Sequence, residues 1–219
     1  LLPRTLQAPT APVTSPPTAP PPTVAAPPTP TPAPPFSERL ETAVLESDRL
    51  GSFRSAIARL EGIWGRPRLQ RTNLRTNLEQ VRRLDLPVVL EMFHPGRKDT
   101  CFLALVGLEG QTAVVTLDDR PPFKVPAAQL DQLWTREAIF LWPDEGGLVG
   151  DPRRAEAWVR DTLERLGYSR GPSLILALEE FQRDSQLIAD GVVGTRTLMT
   201  LYSRGSDPRP RLKSGDSPS

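Results

Sequence analysis

Hydrophobic positions change their spacing several times along this chain. Residues 8–35 are almost entirely Pro, Ala, Thr, Val and Ser, with no large apolar side chain to bury. This composition favours extended polyproline II at about 3.1 Å per residue, so the segment would span on the order of 90 Å. We therefore predict that residues 1–35 form a disordered proline-rich linker. A docking site for a proline-recognising partner and a glycosylated stalk are the alternatives.

From Phe36 the apolar spacing becomes helical and predicts two short helices with Gly51-Ser52 between them. The two apolar stripes are Leu40, Val44 and Leu45, then Phe53, Ile57, Leu60 and Trp64.

Between Leu84 and Trp142 the pattern changes to short apolar runs separated by turn residues such as His94-Pro95-Gly96 and Glu109-Gly110. These runs predict strands over 87–93, 101–106, 112–117, 123–125 and 138–142. A short helix is predicted over 127–134, and an antiparallel meander fits the order of the strands.

After a loop over 143–152 the helical spacing returns and predicts three more helices. The first is apolar at Ala155, Trp158, Val159, Leu163 and Leu166 and ends at Gly167; the second at Leu174, Ala177, Leu178 and Phe181; the third, over 195–202, at Leu198 and Leu201. The polar segment 205–219 is predicted to be a disordered tail.

Composition narrows the function mainly by exclusion. The 27 basic and 26 acidic residues give a net charge of +1, which does not favour nucleic acid or an anionic membrane. One cysteine and one histidine provide neither an internal disulfide nor a zinc site, and no cofactor is predicted. Because the chain begins Leu1-Leu2, we expect it to be a fragment, with a membrane helix among the missing residues.

Two stretches carry a specific resemblance. AEAWVRDTLERLGY followed by LEEFQRDSQLIADGVVGTRTLMTL resembles the peptidoglycan-binding family found on many cell-wall hydrolases. About fifty residues match that pattern in order and spacing, including Phe181-Gln182, Asp190-Gly191, Val193-Gly194 and Thr197-Leu198. The resemblance implies a three-helix peptidoglycan-binding domain over 151–204.

The preceding region resembles the periplasmic part of general secretion pathway protein A, the GspA or ExeA family. SDRLGSFRSAIARLEGIWG, LDLPVVLEMFHPGRKDTCFLALVGLEGQTAVVTLDD, VPAAQLDQLW and IFLW carry this resemblance. It implies an α+β chain in which a degenerate papain-like antiparallel sheet domain with N-terminal helices, over 36–150, precedes the wall-binding module. In that family a cytoplasmic ATPase and one membrane helix come first, so the expected location is the periplasm, with a tether to the inner membrane.

The sheet domain also resembles the bacteriocin-processing cysteine peptidases, whose catalytic histidine opens a strand of this kind. Here Cys101 stands at the position of that base and Asp118 near that of the orienting acid. No cysteine precedes Cys101 to serve as nucleophile, so we expect no peptidase activity. His94 lies in a His-Pro-Gly turn and is interpreted as a surface residue.

The candidate peptidoglycan-binding site is the corner around the Asp-Gly turn. Thr195 is interpreted as the N-cap of the last helix, whose free N–H groups attract carboxylates. The predicted site residues are Gln182, Arg183, Asp190, Gly191, Gly194, Thr195 and Arg196. Arg196 would bind a stem-peptide carboxylate, and Asp190 the amine of the diamino acid.

The sequence therefore predicts a non-enzymatic, peptidoglycan-binding component of the type II secretion pathway. The resemblance implies a GspB-like partner and a role in placing the outer-membrane secretin, while self-association is left open. The alternatives are the wall-targeting half of a hydrolase or transpeptidase, and a middle domain that retains a peptide in its old cleft.

Overall fold

The computed structural model describes residues 36–65, 69–144, 148–168, 171, 173–205 and 209–212. The predicted linker over 1–35 lies outside them. The described elements are α1 (Phe36–Glu46), α2 (Arg49–Trp64), β1 (Leu69–Arg75), α3 (Leu78–Leu84), β2 (Val88–Met92), β3 (Cys101–Glu109), β4 (Thr112–Thr116), β5 (Phe123–Pro126), α4 (Ala127–Leu133), β6 (Trp134–Pro143), α5 (Pro152–Arg165), α6 (Leu174–Asp184) and α7 (Thr195–Gly205). Among these helices, none is long and apolar enough to cross a membrane.

One antiparallel sheet holds all six described strands in the order β1-β6-β2-β3-β4-β5. The α+β class is confirmed, and β2 to β5 form the predicted meander. The last strand does not continue it, because β6 pairs with β2 on the opposite side. That position buries β6 between two strands, where the apolar run Phe140-Leu141-Trp142 is fully excluded from solvent.

The first two helices meet at Ser47-Asp48, so the predicted break at Gly51-Ser52 is wrong. Asp48 is the N-cap of α2, and its Oδ1 accepts hydrogen bonds from the backbone N–H groups of Leu50 and Gly51, both at 2.9 Å. A Cβ on Gly51 would lie 2.3 Å from Asp48 Oδ2, so this glycine makes room for the cap. Leu45, assigned to the apolar stripe, is 44% exposed.

Strand β1 and helix α3 were not predicted. The strand is mostly polar, and of its seven residues only Thr72 is buried, where its hydroxyl accepts a hydrogen bond from Trp142 Nε1 at 2.9 Å. An edge strand with one buried position has no apolar alternation to detect. Helix α3 is short and begins with a side-chain N-cap: Asn77 Oδ1 accepts a hydrogen bond from Gln80 N at 2.9 Å.

The three predicted helices are present as α5, α6 and α7, called the helical module below. Helix α5 ends at a glycine in the left-handed region, Gly167, with φ +85°. Gly167 N donates to Glu164 O at 3.0 Å and Tyr168 N donates to Leu163 O at 2.9 Å. This pair of bonds is a Schellman motif, which satisfies carbonyl groups that the helix itself leaves unpaired.

The sheet and the helical module share one apolar core. Tyr202 of α7 packs between Trp64 of α2 and Trp142 of β6, with ring centroids 6.1 and 6.0 Å apart. All three side chains are at least 94% buried. The division into a 36–150 domain and a 151–204 domain stays a prediction, while the contact between them is extensive.

Part of the predicted disordered tail is bound to the sheet. Leu212 is 1% exposed; its carbonyl accepts from Leu108 N at 2.8 Å, and its N–H donates to Asp85 Oδ1 at 3.1 Å. The prediction for 205–219 is therefore wrong at 209–212, because one buried apolar side chain, one backbone hydrogen bond and one hydrogen bond to a carboxylate anchor this segment. Residues 206–208 and 213–219 lie outside the described part of the chain.

Candidate functional site

The turn that follows α6 is organised by a buried amide. Gln182 is 1% exposed; its Nε2 lies 2.9 Å from Asp190 Oδ1 and 3.0 Å from the Val192 carbonyl oxygen, and its Oε1 accepts from Gly191 N at 2.9 Å. One side chain therefore holds three consecutive residues of the turn. Gln182 was predicted to contact ligand; the structure shows that it shapes the site from within.

Asp190 and Gly191 complete this turn. Asp190 Oδ1 also accepts from Val192 N at 2.9 Å, and this bond, followed by that of Gln182, lowers the pKa of the Asp190 carboxyl from its ordinary value. Gly191 has φ +66°, and a Cβ there would lie 2.8 Å from Ile175 Cγ2. Both residues are required by the turn itself.

Beside the turn lies an open groove of about 780 Å³. It is bounded by the loop before α5, the first turns of α5 and α6, the Gly191–Gly194 segment and the start of α7. Its described lining is largely apolar and includes Leu148, Val149, Pro152, Ala155, Leu174, Ile175, Leu178, Val192, Val193 and Leu198. Ile175 and Val192 are each 59% exposed, so apolar surface is available to a ligand.

The groove also presents polar groups at one end. Gly194 precedes α7 and its carbonyl accepts from Leu198 N at 2.9 Å, so Gly194 is the N-cap and Thr195 the first helical residue. The assignment of Thr195 as N-cap is therefore wrong by one position. The N–H groups of the first helical turn have no intrahelical acceptor. Glu156 of α5 is the acidic side chain among the described lining residues.

The predicted site residues do not all converge on this groove. Gly191, Gly194 and Thr195 line it; Asp190, Arg183 and Arg196 do not. Asp190 and Arg183 are exposed elsewhere on the module. Sequence reasoning did not include the loop before α5 or the first turn of α5, which also line the groove.

Arg196 lines a different and much smaller cleft, of about 30 Å³, between α3 and the helical module. Arg83 of α3 and Arg204 of α7 line the same cleft, together with Ser185 at the end of α6. The predicted corner thus borders two cavities, a broad apolar groove and a narrow basic cleft.

The surroundings of Cys101 are closed to solvent. Cys101 is fully buried, with Sγ 3.8 Å from the Val44 carbonyl oxygen. The Ser47 hydroxyl lies within hydrogen-bond distance of Asp118 Oδ2. Arg97 Nη1 donates to the carbonyl groups of Val44 at 2.6 Å and of Ser47. The end of α1 therefore covers the cysteine.

Burial raises the pKa of the Cys101 thiol to about 11, only partly offset by the positive charge of Arg97. A nucleophilic cysteine requires the opposite shift, because the thiolate is the reactive form. Within the described residues, no group of three or more His, Cys, Asp or Glu side chains is placed to hold a metal ion.

Fold and site together define an α+β sheet domain joined to a three-helix module that carries a ligand-sized groove. No protein-family model matches the chain, and no curated protein does.

Two solved structures are similar in part. The periplasmic domain of the EpsAB fusion protein of the Vibrio vulnificus type II secretion system is 19% identical, with a TM-score of 0.47, over 77% of this chain and 84% of that one. The peptidase domain of Streptococcus mutans ComA is 16% identical, with a TM-score of 0.31, over 34% of this chain and 64% of that one. Both TM-scores are below 0.5, so neither overlap establishes a shared fold.

Proposed function

We propose that this protein binds peptidoglycan through the groove between α5, α6 and the start of α7. The observation that carries the proposal is the groove itself, about 780 Å³ with exposed apolar walls, in the module whose sequence resembles the wall-binding family. This volume falls within the roughly 300–1,000 Å³ of typical ligand sites.

Stem peptides have the chemistry that the groove offers. They carry small apolar side chains, amide groups and free carboxylates, and a diamino acid supplies an amine. The apolar walls suit the side chains, the N–H groups at the start of α7 suit a carboxylate or carbonyl, and Glu156 suits the amine. Glu156 replaces Asp190 in this role, because Asp190 does not line the groove.

We further propose that the sheet domain is not a peptidase. The buried thiol of Cys101, its raised pKa and the cover provided by α1 all oppose nucleophilic catalysis.

The wider role belongs to the same proposal. The order of the linker, the degenerate peptidase-like domain and the wall-binding module resembles the GspA or ExeA family. On this basis we assign the protein to the periplasm, tethered to the inner membrane in its full-length form. There it would act with a GspB-like partner in assembling the outer-membrane secretin of a type II secretion system.

Sedimentation of the full 219-residue chain with purified peptidoglycan sacculi tests wall binding. Val192→Asp places a charge in the groove at a side chain that is 59% exposed. We expect it to weaken binding tenfold or more. Ile188→Asp is the matched control, since Ile188 is 80% exposed and does not line the groove.

Failure of the wild-type chain to sediment with sacculi from several Gram-negative sources would overturn the proposal. Equal weakening by both variants would remove the groove as the site.

A further inference from the structure

The narrow cleft between the sheet domain and the helical module is strongly basic. Arg83 of α3 and Arg196 and Arg204 of α7 line it, and none of the described lining residues is acidic. Arg83 Nε donates to Glu79 Oε1 at 3.1 Å on the helix surface. This bond does not use the two terminal amino groups of Arg83, which can donate to a ligand. Arg204 lies over the Phe181 ring, with Cζ 5.4 Å from the centroid. Arg196 forms no ion pair within the described residues.

A buried hydroxyl without a hydrogen-bond partner belongs to a residue that lines the same cleft. Ser185 is 8% exposed, and its Oγ has no hydrogen-bond partner within the described residues. A buried polar atom without a partner is unfavourable by about 1–3 kcal/mol unless something else satisfies it. The adjacent Gln186 has φ +57°, a conformation that non-glycine residues rarely adopt, and it also lines the cleft.

The size and floor of the cleft restrict its ligand. A volume of about 30 Å³ admits two or three oxygen-sized atoms, since one water needs roughly 10–15 Å³ on this measure. Leu74, Leu84 and Leu187 contribute an apolar floor. A sugar ring does not fit this space, whereas the two oxygen atoms of a carboxylate do, with the rest of the terminal residue at the open mouth of the cleft.

We propose that this cleft is a second binding site, which holds the terminal carboxylate of a peptide ending in a small apolar residue. Arg196 and Arg204 bind the carboxylate oxygens, Ser185 Oγ donates a further hydrogen bond, and the leucine side chains contact the terminal methyl group. The peptide's identity as a peptidoglycan stem rests on the proposed function. The site requires both α3 and α7, so it exists only where the sheet domain and the module are joined.

Binding of acetyl-D-alanyl-D-alanine to the full chain, measured by titration calorimetry and by the Arg Nε–H resonances, tests this site. We expect Arg196→Gln to weaken binding at least tenfold and Ser185→Ala two- to fivefold. Arg183→Gln is the matched control, because Arg183 is exposed on α6 and does not line the cleft. The same peptide with a terminal carboxamide should not bind.

Three results would overturn the assignment: equal affinity for the carboxamide, no loss in Arg196→Gln, or inorganic phosphate binding in the cleft while the carboxylate peptide does not. Sacculus binding separates the two proposals. Sedimentation without peptide binding removes the carboxylate site and leaves the proposed function, whereas peptide binding without sedimentation does the reverse.

Discussion

The surroundings of Cys101 and the groove beside the Asp190 turn differ in what their polar side chains leave open to solvent. Around Cys101, the side chains of Ser47 and Arg97 turn inward to neighbouring backbone or carboxylate groups, and the thiol is fully buried. Beside the turn, Gln182 satisfies the backbone internally and leaves an open apolar surface outside.

This difference shows that hydrogen bonds from side chains to the backbone can close one surface and hold another open. In the sheet domain, the hydrogen bonds of Ser47 and Arg97 hold the end of α1 over the Cys101 thiol. In the helical module, the same kind of buried bond stiffens a rim and keeps the adjacent space free. Four predictions test the contrast, from the largest expected effect to the smallest.

Phe181→Ala should remove the groove by unfolding the module. Phe181 is fully buried and stacks edge-on with Tyr168 at 5.4 Å, so its truncation should lower the free energy of unfolding by about 3–5 kcal/mol. Thermal unfolding by circular dichroism measures this. Phe93→Ala is the control, since Phe93 is 47% exposed. Similar melting of both variants would contradict the packing described here.

Cys101 should be nearly inert in the folded protein. With a pKa of about 11 against an ordinary 9.0, its thiolate population at pH 8 is about a hundredfold lower, and burial slows access further. Alkylation by iodoacetamide should therefore be slow until guanidinium unfolds the chain. Reaction at the same rate in the folded and unfolded states would show that the Cys101 thiol is accessible in the folded protein.

Gln182→Leu should loosen the rim of the groove while leaving most of the fold intact. It leaves Gly191 N and the Val192 carbonyl without their side-chain partner, at about 1–3 kcal/mol of stability. Chemical denaturation and sacculus sedimentation should both report the loss. Gln132→Leu changes an exposed glutamine on α4 and should affect neither.

Asp190→Asn should have the smallest effect, visible mainly in acid. The carboxyl has a lowered pKa in the folded state, so its stabilising effect is present above the unfolded value of 3.8 and disappears as pH falls through the folded value. The variant should lose this acid-dependent part of the stability curve. Glu164→Gln, an exposed carboxyl on α5, should leave the curve unchanged; a change equal to that of Asp190→Asn would refute the assignment.

Local patterns predicted most elements but not how they meet. Apolar spacing was enough for β2 to β5 and for α5 to α7, because each buries a continuous face. It missed β1, whose buried Thr72 is stabilised by Trp142 seventy residues away. It did not separate the basic cleft from the apolar groove, because the cleft depends on Arg83, from a helix far along the chain from Arg196.

The break between α1 and α2 was misplaced for a different reason. Gly51 was taken as a helix breaker, whereas the signal that matters is Asp48, whose side chain caps the helix. The role of Gln182 could not be read from its position beside Phe181 either, since its hydrogen-bond partners follow a turn whose shape is fixed only in the folded chain.

Under the proposed function, the bound segment at 209–212 has a mechanical role. The module is connected to the sheet through β6 on one side, and on the other through Leu212 and through Arg209, whose Nη1 lies 3.8 Å from Asp85 Oδ2. A pull on the groove therefore reaches the sheet through β6, through residues 209–212 and through the core around Tyr202. Removing residues 209–212 takes away one of these connections, and single-molecule force spectroscopy would register the loss as detachment at lower load.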